Sequence, residues 1–384
     1  MPEKHYLVTP GPTQVPPEVL AATARPMIHH RSPDFRGTLA RVLEHLKEVY
    51  RTDNDVLLFT SAGTAVMESA VANLCSPGDR VLVVSHGYFG ERWAAIAGAY
   101  GLEVEHLRYE WGETPSPDEV AARLEESGGV KVVYLTHSET STGVVSDVQS
   151  IAERISGSGA LVAVDAISSL AAVPLETDEW GLDVVITSSH KALMCPAGLA
   201  FAAVSPAALE AARRAESPRF YTDWERTRAA QEKGENPFSV AISLVVGLDV
   251  ALEMILAEGL ESAHARHVRL GRACRAGAKA MGLELLSADE DRSAVVTAIR
   301  MPADVDGSAI VLSMRERSGV TAIGGQGPFK GKLVRIGHIG YVDVNDVAVA
   351  LTALERALAE AGVEVERGAA VPAALDAFAE PVLA

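Results

Sequence analysis

The chain has 384 residues, 48% of them hydrophobic and 22% charged, with a formal net charge of -17. On a guide of about 150 residues per domain, that length allows two domains and a large core, and the composition excludes a disordered chain. The negative charge, with no run of Lys or Arg against it, argues against nucleic-acid and anionic-membrane partners.

In chain order, VLLFT (56–60), RVLVVS (80–85), VEHLRY (104–109), KVVYLT (131–136), LVAVD (161–165), VVITS (184–188) and LAFAAVS (199–205) read as strands. Several are apolar on both faces, the pattern of strands buried inside a mostly parallel sheet. Helical patterns at 66–74 and 118–126 supply covering layers, which predicts a doubly wound α/β unit. From about Pro237 a long stretch, AISLVVGLDVALEMILAEGLESAHARHVRLGRACRAGAKAM, repeats its apolar residues at helical spacing. Strand-like AVVTAIRM (294–301) and KLVRIGHIG (332–340) follow, with helices expected at 307–318 and 344–361, so a smaller α+β unit is predicted. The Ala-rich tail after Arg367 carries no readable chemistry.

Three cysteines, Cys75, Cys195 and Cys274, form no CxxC and suggest neither a disulfide framework nor a zinc site. The stretch MPEKHYLVTPGPTQVPP lacks the apolar core of a signal peptide, and no uncharged apolar run reaches the ~18 residues of a membrane span, so a cytoplasmic protein is expected. His29 and His30 have no third ligand at suitable spacing, and no metal is expected.

Ligands of an open α/β sheet collect at the carboxyl ends of its strands, and five stretches place polar groups there. In SAGTAVMESA, Ala62, Gly63 and Thr64 open a helix whose backbone N–H groups can meet a phosphate, or Ser61 or Thr64 simply caps that helix. In SHGYFGERW, Phe89 is either core or a ring stacked on a flat heterocycle. In THSETSTGVVSD, Thr140 and its neighbours either cap a helix or bond a ligand oxygen. Asp165 ends an apolar strand, where a carboxylate requires an internal cation or a protonated ring nitrogen. Lys191 stands among small, apolar and proline residues in SSHKALMCPAGLAF, an unusual setting for an ammonium. A lysine, a carboxylate, a stacking ring, hydroxyls and a phosphate cradle together fit one ligand, pyridoxal 5'-phosphate.

The order of SAGTAVMES, GYFGERW, THSETSTG, VDAISSL, HKALMCPAGL and GGQGPFKGKLVRIGHIGY resembles the class V aminotransferases of fold type I, particularly the alanine:glyoxylate and serine:glyoxylate or serine:pyruvate group. The last of these segments, GGQGPFKGKLVRIGHIGY, also resembles proteins labelled soluble hydrogenase small subunit, although no iron–sulfur or nickel ligand set is present. The resemblance implies a large cofactor-binding domain over 16–255, a small domain over 256–384 and an arm over 1–15 near the active site. It implies that Lys191 is the Schiff-base lysine, Asp165 the pyridinium partner, Phe89 the stacking ring and Thr140 the hydroxyl near the cofactor ring. Ala62, Gly63 and Thr64 match the phosphate turn, and Arg335 the arginine that grips the substrate carboxylate. NPFSV, with Asn236 and Ser239, corresponds to a segment reaching the phosphate of a neighbouring subunit, which implies a homodimer.

His190 replaces a glutamine usual before the lysine, and His86 an asparagine, and both are expected to bond cofactor or neighbours. The activity implied is ping-pong transfer of an amino group from a small amino acid, alanine or serine, to a small 2-oxo acid, glyoxylate or pyruvate. Alternatives within the cofactor class are a lyase, a phosphoserine-type aminotransferase, or a cysteine desulfurase, which requires a mobile thiol that the loop 323–332 lacks. A nucleotide-binding or hydrogenase-associated subunit shares the doubly wound sheet but has no need of Lys191 or Asp165, and SAGTA lacks the GxGxxG of a dinucleotide site.

Overall fold

Seven apolar stretches form one central sheet in the computed structural model of the chain, which describes residues 4–288 and 290–382. Across the sheet the strands run Asp55–Phe59, Ala200–Val204, Val184–Ser188, Leu161–Asp165, Val132–Thr136, Arg80–Ser85 and Glu103–Arg108. Only Ala200–Val204 is antiparallel to its neighbours, so the other six strands end at the same edge. The two-residue repeat sends alternate side chains to opposite faces. Leu58, Val133 and Val164 pack with the helices Pro33–Tyr50 and Ile242–Glu258. Leu57, Val132 and Ala163 pack on the other side with Gly63–Leu74 and Tyr88–Ala99. This is the doubly wound α/β arrangement expected from sequence, with helices over both faces of a mostly parallel sheet.

The continuous helical pattern expected after Pro237 is interrupted. Gly259, at φ 82°, separates Ile242–Glu258 from Leu260–Ala280. The first helix belongs to the core of the large sheet, whereas Leu270, Ala273 and Cys274 of the second enter a separate core. That second core also holds the helices Gly307–Ser318 and Val344–Glu360. The Ala-rich tail contributes to it as well, because Ala370 and Ala374 of the helix Ala370–Ala379 are buried there.

A three-stranded antiparallel sheet completes this unit, with Leu333–Gly337 between Val296–Arg300 and Ile323–Gly324. Arg335 lies on the middle strand, opposite both Ala298 and Ile323. The N-terminal arm is tied to the same unit. Tyr6–Leu7 pairs with Val320–Thr321, and the Gly337 N–H donates to the Val8 carbonyl at 2.7 Å. A Cβ on Gly337 would lie 2.3 Å from the Thr9 carbonyl carbon, so only glycine lets the arm cross there. No helix among the described residues is long and apolar enough to cross a membrane.

Candidate active site

The parallel arrangement brings the ends of five strands to one cavity of about 210 Å³. It is lined by Ala62, Gly63 and Thr64 after the first strand, by Phe89 and Arg92 on one helix, and by Ser138, Asp165, His190 and Lys191. Of the residues expected from sequence, Ala62, Gly63, Thr64, Phe89, Asp165, His190 and Lys191 meet here.

Lys191 is 8% exposed and its Nζ donates to the Pro10 carbonyl at 2.8 Å. Burial lowers its pKa to about 8, against the pull of the Asp165 carboxylate, with the Arg335 and Arg92 charges adding to the depression. The arm holds the lysine's backbone too, since Thr13 Oγ1 donates to the Lys191 carbonyl at 3.0 Å and the Thr13 N–H to the His190 carbonyl at 3.2 Å.

Asp165 is buried, and its Oδ1 accepts the Ile167 N–H at 2.8 Å. Its other oxygen accepts no hydrogen bond among the described residues. Burial raises its pKa to about 7, with the Glu139 charge adding to the rise and the Lys191 and Arg92 charges opposing it. A protonated heterocycle nitrogen in the cavity would pair with the carboxylate oxygen that accepts no hydrogen bond.

The helix Gly63–Leu74 begins without a side-chain cap, because Ala62 occupies the cap position. Neither the Gly63 nor the Thr64 N–H finds an acceptor among the described residues, and the Ser61 hydroxyl is buried without a partner. The capping expected as an alternative at Ser61 or Thr64 is therefore not made. Instead Thr64 Oγ1 accepts a hydrogen bond from Arg92 at 2.9 Å. An open helix N-terminus with unpaired donors is a seat for an anion. The Arg92 guanidinium also lies 4.8 Å from the Phe89 ring centre.

Arg335 is 2% exposed and points from the small unit toward the large one. Its Nε donates to the Gly324 carbonyl at 2.9 Å and its Nη1 to the Thr140 carbonyl at 2.6 Å. Burial lowers its pKa to about 10, so the guanidinium stays charged at neutral pH. Thr140 thus meets Arg335 through its backbone, while Ser138 takes a place in the cavity wall.

His190 Nδ1 lies 3.3 Å from the Ser188 hydroxyl, and burial followed by the Lys191 charge lowers its pKa to about 4. His86, directly after the strand Arg80–Ser85, is buried 2.8 Å from the Ser146 hydroxyl, and its pKa is lowered by burial. Asn236 and Ser239 do not reach the cavity of their own chain. They lie beside Leu58, Thr60 and Tyr221, and Asn236 Oδ1 is buried without a partner. Sequence reasoning passed over Arg92 and Glu139, although both stand in stretches it had singled out. The available signal at Glu139 was a carboxylate set between apolar strands in a run of small hydroxyl residues.

With that geometry in view, the family description Aminotransferase class-V matches residues 5–348. The chain belongs to the class V aminotransferases. It is a pyridoxal-phosphate-dependent aminotransferase of fold type I. A protein of Synechococcus sp. named soluble hydrogenase, small subunit, is 42% identical, the match covering 94% of this chain and 95% of that one. L-Aspartate–glyoxylate aminotransferase of Paracoccus denitrificans is 35% identical over 100% of this chain and 98% of its own. The structure of ureidoglycine–glyoxylate aminotransferase from Bacillus subtilis superposes with a TM-score of 0.93 at 29% identity, covering 99% of each chain.

Proposed function

We propose that this aminotransferase binds pyridoxal phosphate in the 210 Å³ cavity and moves the amino group of a small L-amino acid, alanine or serine, to glyoxylate or pyruvate. The observation that carries the reading is the pairing, in one cavity, of a buried lysine with a buried carboxylate that one backbone N–H bonds. Ala62, Gly63 and Thr64 would take the phosphate on the open helix N-terminus, Phe89 would cover the ring, and Asp165 would keep its nitrogen protonated. Ser138 and His190 line the same space, and Thr140 serves through its carbonyl.

When bound, the cofactor supplies an attachment point for the lysine and an electron sink for the substrate. Lys191, with its depressed pKa, would take the proton from the substrate α-carbon and deliver it to the carbon that was the cofactor's aldehyde, so that the amino group changes hands. Arg335 orients the substrate carboxylate, a task suited to a planar fork of donors. The Pro10–Thr13 segment closes over the lysine and keeps water from it.

Asn236 and Ser239 lie outside their own cavity, which supports a homodimer in which each chain completes its neighbour's phosphate site. The glyoxylate in the names of two relatives supports the acceptor, while their different donors leave the amino acid to this chain's own pocket. All three cysteines are buried, which leaves the desulfurase alternative without a mobile thiol among the described residues.

Absorption spectroscopy tests the reading. Protein incubated with pyridoxal phosphate should be yellow, and Lys191→Ala should not. L-Alanine or L-serine alone should discharge the colour, and glyoxylate or pyruvate should restore it. A colourless wild type overturns the cofactor site, and a band unmoved by either donor but discharged by L-aspartate overturns the donor assignment.

A further inference from the structure

Glu139 is fully buried, 0% exposed, and none of the chemistry above uses its carboxylate. Its Oε2 accepts the N–H groups of Phe89 at 2.8 Å and Gly90 at 3.1 Å. Its Oε1 accepts the Ser141 N–H at 3.1 Å and the Ser141 hydroxyl at 2.6 Å. The same hydroxyl oxygen accepts the Tyr88 N–H at 3.0 Å. The first turn of the helix Tyr88–Ala99 is therefore capped from another strand end, because its own cap residue, Gly87, has no side chain. A Cβ on Gly87 would lie 2.3 Å from Glu139 Cγ, so the glycine leaves room for the distant cap. A carboxylate there also matches the positive end of the helix dipole.

The residue after Glu139 gives its carbonyl to Arg335. One short turn thus holds the backbone of Phe89 on one side and the guanidinium of Arg335 on the other. We propose that Glu139 is a positioning residue of the aminotransferase reaction, setting Phe89 through the helix cap and Arg335 through Thr140. This rests on the roles proposed above for those two side chains. It also separates the two helix N-termini of the site, since one is filled by the protein's own carboxylate and the other remains open for an anion. All four bonds to Glu139 come from donors, so an amide is not equivalent: whichever way Gln is turned, its NH₂ faces a backbone N–H.

The test compares holoenzyme of the wild type, Glu139→Gln and Ser141→Ala by pyridoxal phosphate affinity, visible circular dichroism of the bound cofactor, and KM and kcat for the amino donor. Glu139→Gln should weaken cofactor binding about tenfold or more, the scale of one lost charge-assisted hydrogen bond. It should diminish the cofactor's dichroism and raise KM for the donor more than it lowers kcat. Ser141→Ala should show the same pattern at smaller amplitude. Unchanged affinity, dichroism and KM in Glu139→Gln overturn the proposal, as does a lowered melting temperature with those three signals intact. If Glu139→Gln does not fold, Ser141→Ala decides by the same criteria. A wild type that binds no pyridoxal phosphate overturns the functional reading and this inference with it. Normal cofactor binding in the wild type, with affinity, dichroism and KM unchanged in both variants, overturns this inference alone.

Discussion

At Lys191 and Asp165 the same physical cause acts in opposite directions, because burial penalises the charged form of each. The lysine, ordinarily at 10.5, is lowered to about 8. Its ammonium form cannot attack an aldehyde, so uptake of pyridoxal phosphate by cofactor-free protein should accelerate about tenfold per pH unit up to about 8 and then level. Stopped-flow absorbance across that range checks this; a rate still climbing toward the pKa of a solvated lysine would mean that the amine is not held as described. Lys191 was legible in sequence because its apolar flanks made a charge anomalous. Glu139 obeys the same rule but stands among hydroxyl residues, and nothing near it in the chain shows that it is fully buried. Thr140 was expected to act through its hydroxyl, yet it meets Arg335 through a carbonyl that every residue type possesses.

Among the elements, the N-terminal arm has the clearest consequence. It crosses the strand Leu333–Gly337 and ends with Pro10 and Thr13 on Lys191. In Gly337→Ala the new Cβ would lie 2.3 Å from the Thr9 carbonyl carbon and 2.4 Å from the Pro10 nitrogen, both backbone atoms. The substitution should destabilise the fold by about 1–3 kcal/mol, the range for overpacking, and loosen the arm from Lys191. Denaturant titration together with cofactor dissociation checks both effects, and wild-type values for each would show that the arm does not cross there. The seven strands of the large sheet were readable to within a residue because their apolar runs are bounded by polar ends, whereas the run expected at 332–340 ends as a strand at Gly337 and two-residue strands such as Tyr6–Leu7 and Ile323–Gly324 are too short to show a pattern. The return of Ala200–Val204 antiparallel to Val184–Ser188 follows from a connection, 189–199, that contains no helix to carry a crossover. The break at Gly259 was hidden by apolar periodicity that continues past it.

For the whole molecule, burying histidines in two cores ties stability to pH. Burial lowers His137 to about 4, and burial with the Arg275 charge lowers His338 to about 3. Both are neutral when folded and gain protons on unfolding, so the unfolded state binds more protons once pH falls below about 6.5. Stability is complete above that value and declines through the interval down to the folded pKa. Each histidine contributes on the order of 1.4 kcal/mol per pH unit within its interval. Denaturation at a series of pH values should show this slope, and His137→Phe should reduce it by one histidine's share. An identical slope in that variant would show that His137 is not buried neutral.

The sequence by itself determined the α/β class, the strand runs, the family and the anomalous Lys191 and Asp165, because each is a property of residues close together in the chain or of motifs in order. Tertiary structure alone decided that the Phe89 helix is capped by Glu139, that Arg335 meets the Thr140 carbonyl, and that the N-terminal arm lies on Lys191. Those contacts join segments far apart in sequence. The hydrogen-bond partners of a buried polar group are set by whichever segments the hydrophobic cores bring beside it.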